Sequence, residues 1–539
     1  MSSYQPFPIY DFRSGLQLDR EPWLLPGDAF MTMENAYLFR GVLCKRLGYS
    51  LFADTEAGFD IVGIFNYIES NGAKTLMVAD TRRLYEYNTG TKVLDDKDGS
   101  DYYTGTGANF ISSCNYKSKV YMANNKDQCR SYNGATVGTW KVDISGDTFN
   151  DLDFCLLIMY SKRRIILLRT SEDGTLCPQR ARWCTVDDPD DWDNDEYVDA
   201  PTSEWIRGAA YSGDDIIVFF DESVWMLKYT GNETLPFRWE RISATAGCAA
   251  TFSVVDKGDE VLALEKTGLV FADALGVKRA DDKIPDVVLN FNADTVDLVC
   301  GALYKELRHV WWSYPSLGAS KSDRVLVLNY DDWSFSIYKM SLSCLGFFSR
   351  QESETWASTT GTWAEQVGPW VKSTTQLGYP TALGGTSDGK VYLLNDTPGD
   401  AGLNIAMNVK GGYWNPFMKS GKKARLGYID FLIECNEAYE LTVDFFMNFN
   451  STPYQSKTLS FDHPGSKAWT RIHSGAIGTS HGITIRDDSH SQQPKIHAIT
   501  PYFKPAGRLT LDRSAMVTPE DYLKINGDFL TIGGERLKK

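Results

Sequence analysis

Ile61-Val62-Gly63-Ile64-Phe65-Asn66-Tyr67, followed by Thr75-Leu76-Met77-Val78-Ala79-Asp80-Thr81-Arg82-Arg83-Leu84-Tyr85-Glu86-Tyr87, reads as a short apolar strand leading into a hairpin with a polar turn. The pattern recurs along the chain. Leading strands are expected near Ile61, Asn109, Phe154, Trp205, Cys248, Val299 and Leu342, and many end on tyrosine: Tyr67, Tyr116, Tyr160, Tyr211 and Tyr304. Their starts lie roughly 43 to 51 residues apart, the period of four-stranded propeller blades. A single blade cannot bury both its faces, so blades must pack around a ring. The spacing predicts an all-β chain with a β-propeller of six or seven blades, seven favoured, and no continuous helix between 60 and 340. A propeller alone leaves function open, because function sits in what surrounds it.

Hairpins are expected at 119–132, 163–185, 215–229, 260–272, 308–338 and 381–394, each with Gly, Asn, Asp or Ser in the turn between β-branched or aromatic runs. Residues 1–55 are punctuated by Pro6, Pro8, Pro22 and Pro26 and read as a β segment joining a second domain. The propeller is expected over 56–399. One segment breaks the rhythm: 350–379 carries Trp356, Trp363 and Trp370 among Ser, Thr and Gly, and reads as an insertion on one rim. After about Asp400 the pattern changes to that of a β-sandwich platform domain, 400–510, with strands near 425–434, 440–448, 456–461, 482–487 and 496–503. A tail, 511–539, holds Thr518-Pro519-Glu520-Asp521, a good start for a short helix.

At 539 residues the chain is long enough for a large ring with additions. Hydrophobic content of 42% and aromatic content of 13% suit a folded core. No run approaches bilayer length, so no membrane anchor is expected. Residues 1–12 have neither a basic start nor an apolar stretch, so no secretory signal is expected. The ten cysteines are scattered without a Cys-x-x-Cys pair and are expected to be reduced and mostly buried. Net charge is −15, from 70 acids against 55 bases, which opposes tight sequence-specific DNA binding.

Several clusters carry candidate chemistry. Asp187 to Glu196 is rich in acids and could hold Ca²⁺, but it lacks the turn glycine of an EF-hand, and a solvated turn with Trp192 packed inward is the plainer reading. Asp191-Trp192 and Asp332-Trp333 resemble the dipeptide of one propeller family without its Gly-His partner. Ser171-Glu172-Asp173-Gly174 and Thr386-Ser387-Asp388-Gly389 resemble the turn boxes of sialidase-type propellers, where an arginine cluster would be needed for a substrate carboxylate. His463, His473, His481, His490 and His497 are scattered without metal-ligand spacing. Lys419, Lys422, Lys423 and Arg425 form a basic cluster that is a candidate partner contact. No Walker loop or dinucleotide fingerprint occurs, and no Gly-x-Ser-x-Gly elbow is expected. No catalytic residue, cofactor or metal is expected.

Five segments, in order, resemble the tail nozzle or tail hub proteins of short-tailed bacteriophages. The first is Lys45-Arg46-Leu47-Gly48-Tyr49, close to a lysine-arginine-x-glycine step in that family. The others are Ala181-Arg182-Trp183 with Asp188-Pro189-Asp190-Asp191-Trp192-Asp193, then Val325 to Tyr330 leading to Trp333-Ser334, then Ser387 to Leu393, and last Ile499 to Arg508. The resemblance covers about residues 20–510. It implies a non-enzymatic virion component, assembled in the host cytoplasm into the tail. It further implies a homo-hexamer below the portal adaptor (the head-to-tail connector), carrying tail spikes or fibres. Genomic DNA would pass through the channel without sequence-specific binding. On that reading Trp356, Trp363 and Trp370 are candidate gate or appendage contacts. The rival reading is a carbohydrate-active propeller, either a capsule depolymerase or a glycan-binding receptor protein. A scaffold propeller of the host type is a third.

Overall fold

The computed structural model describes residues 3–97, 99–144, 151–348, 380–489 and 493–509, with four two-residue strands between 524 and 536. The rim insertion 350–379 with Trp356, Trp363 and Trp370 lies outside the described residues, as does the expected helix start at Thr518-Pro519-Glu520-Asp521. The architecture is essentially all-β, made of several small antiparallel sheets. Helical elements among the described residues are short 3-10 turns such as Thr251–Ser253 and Ala293–Leu298.

Five four-stranded sheets follow one another as meanders, over 61–96, 112–139, 152–199, 206–243 and 255–279. The strands over 300–338 form a sixth such run, continued into a larger sheet. Cys344–Phe348, Thr381–Gly385 and Lys390–Leu394 form a seventh, whose outer strand is Tyr49–Asp54 from the N-terminal segment. The second strand of each sheet is an almost continuous apolar run, such as Asp215–Phe220 and Lys119–Ala123. Strands covered on both faces have that composition.

Leading strands begin within a few residues of the expected positions, except the fifth, which begins at Val255 and not at Cys248. Cys248 and Ala250 are buried as strand residues would be, but the 3-10 turn Thr251–Ser253 intervenes, tied by Ser253 Oγ donating to the Ala250 carbonyl at 2.7 Å. Burial periodicity alone does not separate a buried turn from a strand.

Hydrogen bonds join each sheet to the next. Ile111 N donates to Val62 O at 3.0 Å, and Ile158 N to Ser112 Oγ at 3.0 Å. Tyr211 Oη donates to Tyr160 O at 3.0 Å, Gly213 N to Gly258 O at 3.1 Å, and Trp312 Nε1 to Ser253 O at 2.8 Å. Ser313 Oγ donates to Leu342 O, and Asn66 Nδ2 to Phe347 O at 2.8 Å, which ties the last sheet to the first. Glycine permits the closest approach there: a Cβ on Gly346 would lie 2.5 Å from Ile64 Cβ. Successive sheets also share hydrophobic clusters, Leu168 and Trp183 with Val218 and Phe220, and Ile217 and Phe219 with Val261 and Ala263.

Residues after 400 form the remaining sheets with the N-terminal segment. Lys422–Cys435 and Lys495–Arg508 pair at the centre of a seven-stranded sheet, flanked by Ser466–His473 and Val42–Lys45. Ile405–Gly411, His481–Ser489, Tyr439–Met447 and Gln455–Phe461 belong to a ten-stranded sheet that also takes in the 300–338 run through Ala29–Glu34. Leu426, Phe431 and Ile433 of the first sheet and Val443, Phe445 and Ile485 of the second lie in one hydrophobic cluster.

The Lys45-Arg46 step is the junction between these parts. Lys45 Nζ pairs with Asp487 and donates to Ser489 O at 2.8 Å. Arg46 grips Asp400 with two nitrogens, at 2.7 and 2.5 Å, and donates to Asn35 Oδ1 at 2.9 Å. The ten cysteines are free thiols, all buried except the half-buried Cys177.

His309 is fully buried, edge-on to Tyr37, and both ring nitrogens lack a hydrogen-bond partner among the described residues. Burial pushes its pKa from the usual 6.5 down to about 3. The imidazole is therefore neutral in the fold and the unfolded chain takes up the proton first. Stability is full above about pH 6.5 and falls as pH drops from there toward 3. His481 and His497 are lowered in the same direction, by burial first, and add to the slope. Between pH 7 and pH 5 the melting temperature of His309→Phe is expected to fall by less than that of the wild type, the remaining slope coming from His481 and His497. Equal slopes for the two proteins in differential scanning calorimetry would refute this.

Candidate functional site

Two β-bulges bring the site together. The register shifts between Leu168 and Thr170, and again between Ile206 and Gly208. A bulge leaves one residue unpaired and re-aims its side chain. The residues so displaced are Arg169, which takes a positive φ of 55°, and Arg207. Both line a cavity of about 150 Å³ with Asn109, Asn124, Asn125 and Asp297. Phe110 and Phe252 also line it, their ring centroids 5.1 Å apart. The wall is made by segments before and within leading strands, by the second strand that holds Arg169 and by the turn after Ala123, so it draws on five successive sheets.

The two guanidinium groups are held differently. Arg207 Nε donates to Asp221 Oδ1 at 2.6 Å, and the other oxygen of Asp221 accepts from Trp205 N at 2.9 Å. Burial would raise the Asp221 carboxyl, but the Trp205 amide and Arg207 outweigh it and hold it below the usual carboxylate range. Arg169 stacks over the Trp205 ring at 4.7 Å and donates one long bond, 3.4 Å, to Ile206 O. Its Nε is buried without a hydrogen-bond partner among the described residues. Burial, and then repulsion from Arg207, lower its pKa to about 10. Asn125, also at positive φ, has a buried Oδ1 without a partner among the described residues. Asn109 and Asn124 are oriented by their own turns, Asn109 Oδ1 accepting from Thr106 N at 3.0 Å and Asn124 Oδ1 from Asp127 N at 2.8 Å.

Arg169, lowered by burial and then by a neighbouring cation, lines a polar cavity and keeps one buried donor without a partner among the described residues, so it is a group short of an anion. A carboxylate placed between Arg169 and Arg207 would supply the missing acceptor with charge-assisted bonds. The asparagines offer donors and acceptors to hydroxyls, and the two phenylalanine rings offer an apolar surface.

Among the described residues, none of those expected from the sequence lines this cavity. Lys419 sits in the 3-10 turn Met418–Ser420, and Lys422, Lys423 and Arg425 open the strand Lys422–Cys435. Lys423 is half-buried and the other three are exposed. In the acidic run, Trp192 and Trp140 both donate to Pro189 O, at 2.9 and 3.2 Å, and Glu196 pairs with Arg164 at 2.7 Å. These bonds are those of a packed turn, and no group of three metal-ligating side chains occurs among the described residues. Glu172 of the first turn box is consumed by Arg180 and Arg182. The second box does spell Gly-x-Ser-x-Gly, at Gly385-Thr386-Ser387-Asp388-Gly389, contrary to expectation. It is the turn between the antiparallel strands Thr381–Gly385 and Lys390–Leu394, whereas a nucleophile elbow leads into a helix. The signal for Arg169 was present in Ile165-Ile166-Leu167-Leu168-Arg169, a cation at the end of an apolar run, but the bulge that aims it is a property of the paired strands.

No protein-family model matches the chain, and no curated protein matches it. Solved structures match it only at low identity and low TM-score. One is the extracellular domain of a putative hybrid two-component system from B. thetaiotaomicron, 9% identical, with a TM-score of 0.29, matching 56% of this chain. The chain spans only 41% of that domain's length. Another is an exo-β-1,3-galactanase from Phanerochaete chrysosporium with galactose, 8% identical, with a TM-score of 0.26, matching 75% of this chain and 98% of that one.

These findings overturn the identification with phage tail nozzle or hub proteins. No tail family or curated tail protein matches, and the solved structures just named are the extracellular domain of a putative two-component system and a galactanase. The virion role falls with the resemblance. The expectation that the chain is not an enzyme is withdrawn too: a glycosidase is among the structures matched, although no activity follows from that match. The quoted segments misled for a physical reason. Lys45-Arg46 is a buried ion-pair junction and Ser387-Asp388-Gly389 a hairpin turn, and both serve any large β protein. At such identities and scores, neither likeness carries an activity over to this chain.

Proposed function

We propose that the protein is a carbohydrate-active β-propeller that takes an acidic saccharide at Arg169 and Arg207. The seven small sheets would close as a ring of seven blades over 49–394, with 1–45 and 400–509 forming a β-sandwich beside it. Support for the ring comes from the hydrogen bonds that run from sheet to sheet and from the last back to the first, and from Tyr49–Asp54 completing the last sheet. A strand that precedes the first blade and completes the last would tie the two ends of the ring together.

One observation carries the functional reading: two bulges deliver two guanidinium groups to one polar cavity, and one of them keeps a buried donor unused. A sugar carboxylate answers that donor, the asparagine side chains answer ring hydroxyls, and Phe110 and Phe252 suit the C–H face of a pyranose. The acidic protein as a whole repels polyanions at long range, so binding must come from this local pair.

Titration calorimetry with glucuronic or galacturonic acid against the matching neutral hexose tests the reading. The acidic sugar is expected to bind and the neutral one to bind at least ~10-fold more weakly, the scale of one lost charged hydrogen bond. Arg207→Met is expected to remove that preference while the fold is retained. Equal affinity for both sugars, or none for either, would refute it. Product analysis of the same mixtures with oligosaccharides separates binding from cleavage.

A further inference from the structure

We propose that the site continues into a second cavity that takes a neutral sugar, so that the ligand is an oligosaccharide with a neutral unit linked to the acidic one. This rests on the reading of the Arg169 and Arg207 cavity as the acidic subsite. The second cavity is larger, about 290 Å³, and shares Ala108 and Asp297 with the first. The two are therefore neighbours across one wall, with the exposed Asp297 on it. A chain of linked sugars leaving the first cavity past Asp297 enters the second.

The lining of the second cavity differs in kind. It holds no arginine and no aromatic ring, and it is rich in serine, with Ser320, Ser322, Ser341, Ser343 and Ser387. Ser343 Oγ donates to Ile61 O at 2.7 Å, and Ser322 Oγ to Leu298 O at 3.3 Å. Each of these hydroxyls has given its proton to a backbone carbonyl, so its lone pairs are left to accept from a ligand hydroxyl. The one cation, Lys321, is already engaged, 3.3 Å from Asp60 Oδ1 and 3.5 Å from Ser387 O. Asp60 also lies close against Gly107, where a Cβ would come within 2.6 Å of its Oδ2. A second carboxylate would meet Asp60, Asp294 and Asp297 there, with a lysine that is already paired. Neutral hydroxyl groups find acceptors there, the carboxylates of Asp294 and Asp297 among them. The same acids reject a second anion, so the site discriminates by repulsion as well as by contact.

The test uses the full chain and three ligands: an acidic monosaccharide, a disaccharide of an acidic and a neutral sugar, and a disaccharide of two acidic sugars. The mixed disaccharide is expected to bind at least ~10-fold more tightly than the monosaccharide, and the doubly acidic one no more tightly than it. Ser341 is exposed at the mouth of the second cavity, so Ser341→Trp should fold normally and fill it. In that variant the mixed disaccharide is expected to fall back to the affinity of the monosaccharide, whose own affinity is unchanged. Equal wild-type affinities for monosaccharide and mixed disaccharide would overturn the second subsite and leave the first standing. So would a gain that survives Ser341→Trp. A protein that binds none of the three overturns both readings.

Discussion

Asp487→Ala is expected to lower the free energy of unfolding by about 3–5 kcal/mol, the cost of leaving one member of a buried ion pair uncompensated. The side chains of Lys45 and Asp487 are 1% and 2% exposed, so water does not reach the ammonium once its partner is gone. Its remaining bond, to Ser489 O, leaves donors unsatisfied. The effect should spread, because Asp487 lies in His481–Ser489, a strand of the ten-stranded sheet, and Lys45 ends a strand of the seven-stranded one. The pair thus links two sheets and the residues just before the chain crosses to Tyr49–Asp54. Replacing both partners with apolar residues, Lys45→Met with Asp487→Leu, is expected to recover most of the loss, since neither charge then needs solvation. Urea denaturation followed by tryptophan fluorescence reads both. A single variant within about 1 kcal/mol of wild type would show that water or another group reaches Lys45, against the burial described.

Trp312→Ala is expected to cost a similar amount, about 3–5 kcal/mol, from lost apolar burial and the cavity left behind. Trp312 is 0% exposed and packs in the largest hydrophobic cluster. Its Nε1 also donates to Ser253 O at 2.8 Å, so it ties the sixth sheet to the turn that enters the fifth. Removing it orphans a carbonyl in the turn beside Phe252, one of the walls of the cavity. Trp312→Ala should therefore weaken acidic-sugar binding as well as stability. Trp469→Ala is the control: that ring is 53% exposed and its loss is expected to change stability by less than about 0.5 kcal/mol. Comparable melting temperatures for the two variants would contradict the burial pattern.

Much of the strand pattern was legible in advance because hairpins are local. The turns at Asp80-Thr81-Arg82, Glu172-Asp173-Gly174 and Asp221-Glu222-Ser223 lie where turn chemistry between apolar runs put them. Outer strands such as Val137–Thr139 and Tyr197–Asp199 escaped notice because they are short and partly exposed, with little apolar contrast. Tyr49–Asp54 reads like any other edge strand, and its partner Lys390–Leu394 is far away in the chain.

By itself, then, the sequence determined the all-β class, the repeated hairpins and the burial of most cysteines, since each follows from local periodicity, turn residues or composition. Tertiary structure alone decided which strand completes the last small sheet, that Lys45 and Asp487 meet, and that Arg169, Arg207, Asn125 and Asp297 share one cavity. Those facts depend on pairing between distant strands and on two bulges within the sheets. A bulge leaves no periodic mark that tells its displaced arginine from an ordinary surface cation, so the site could be seen only once the strands were paired.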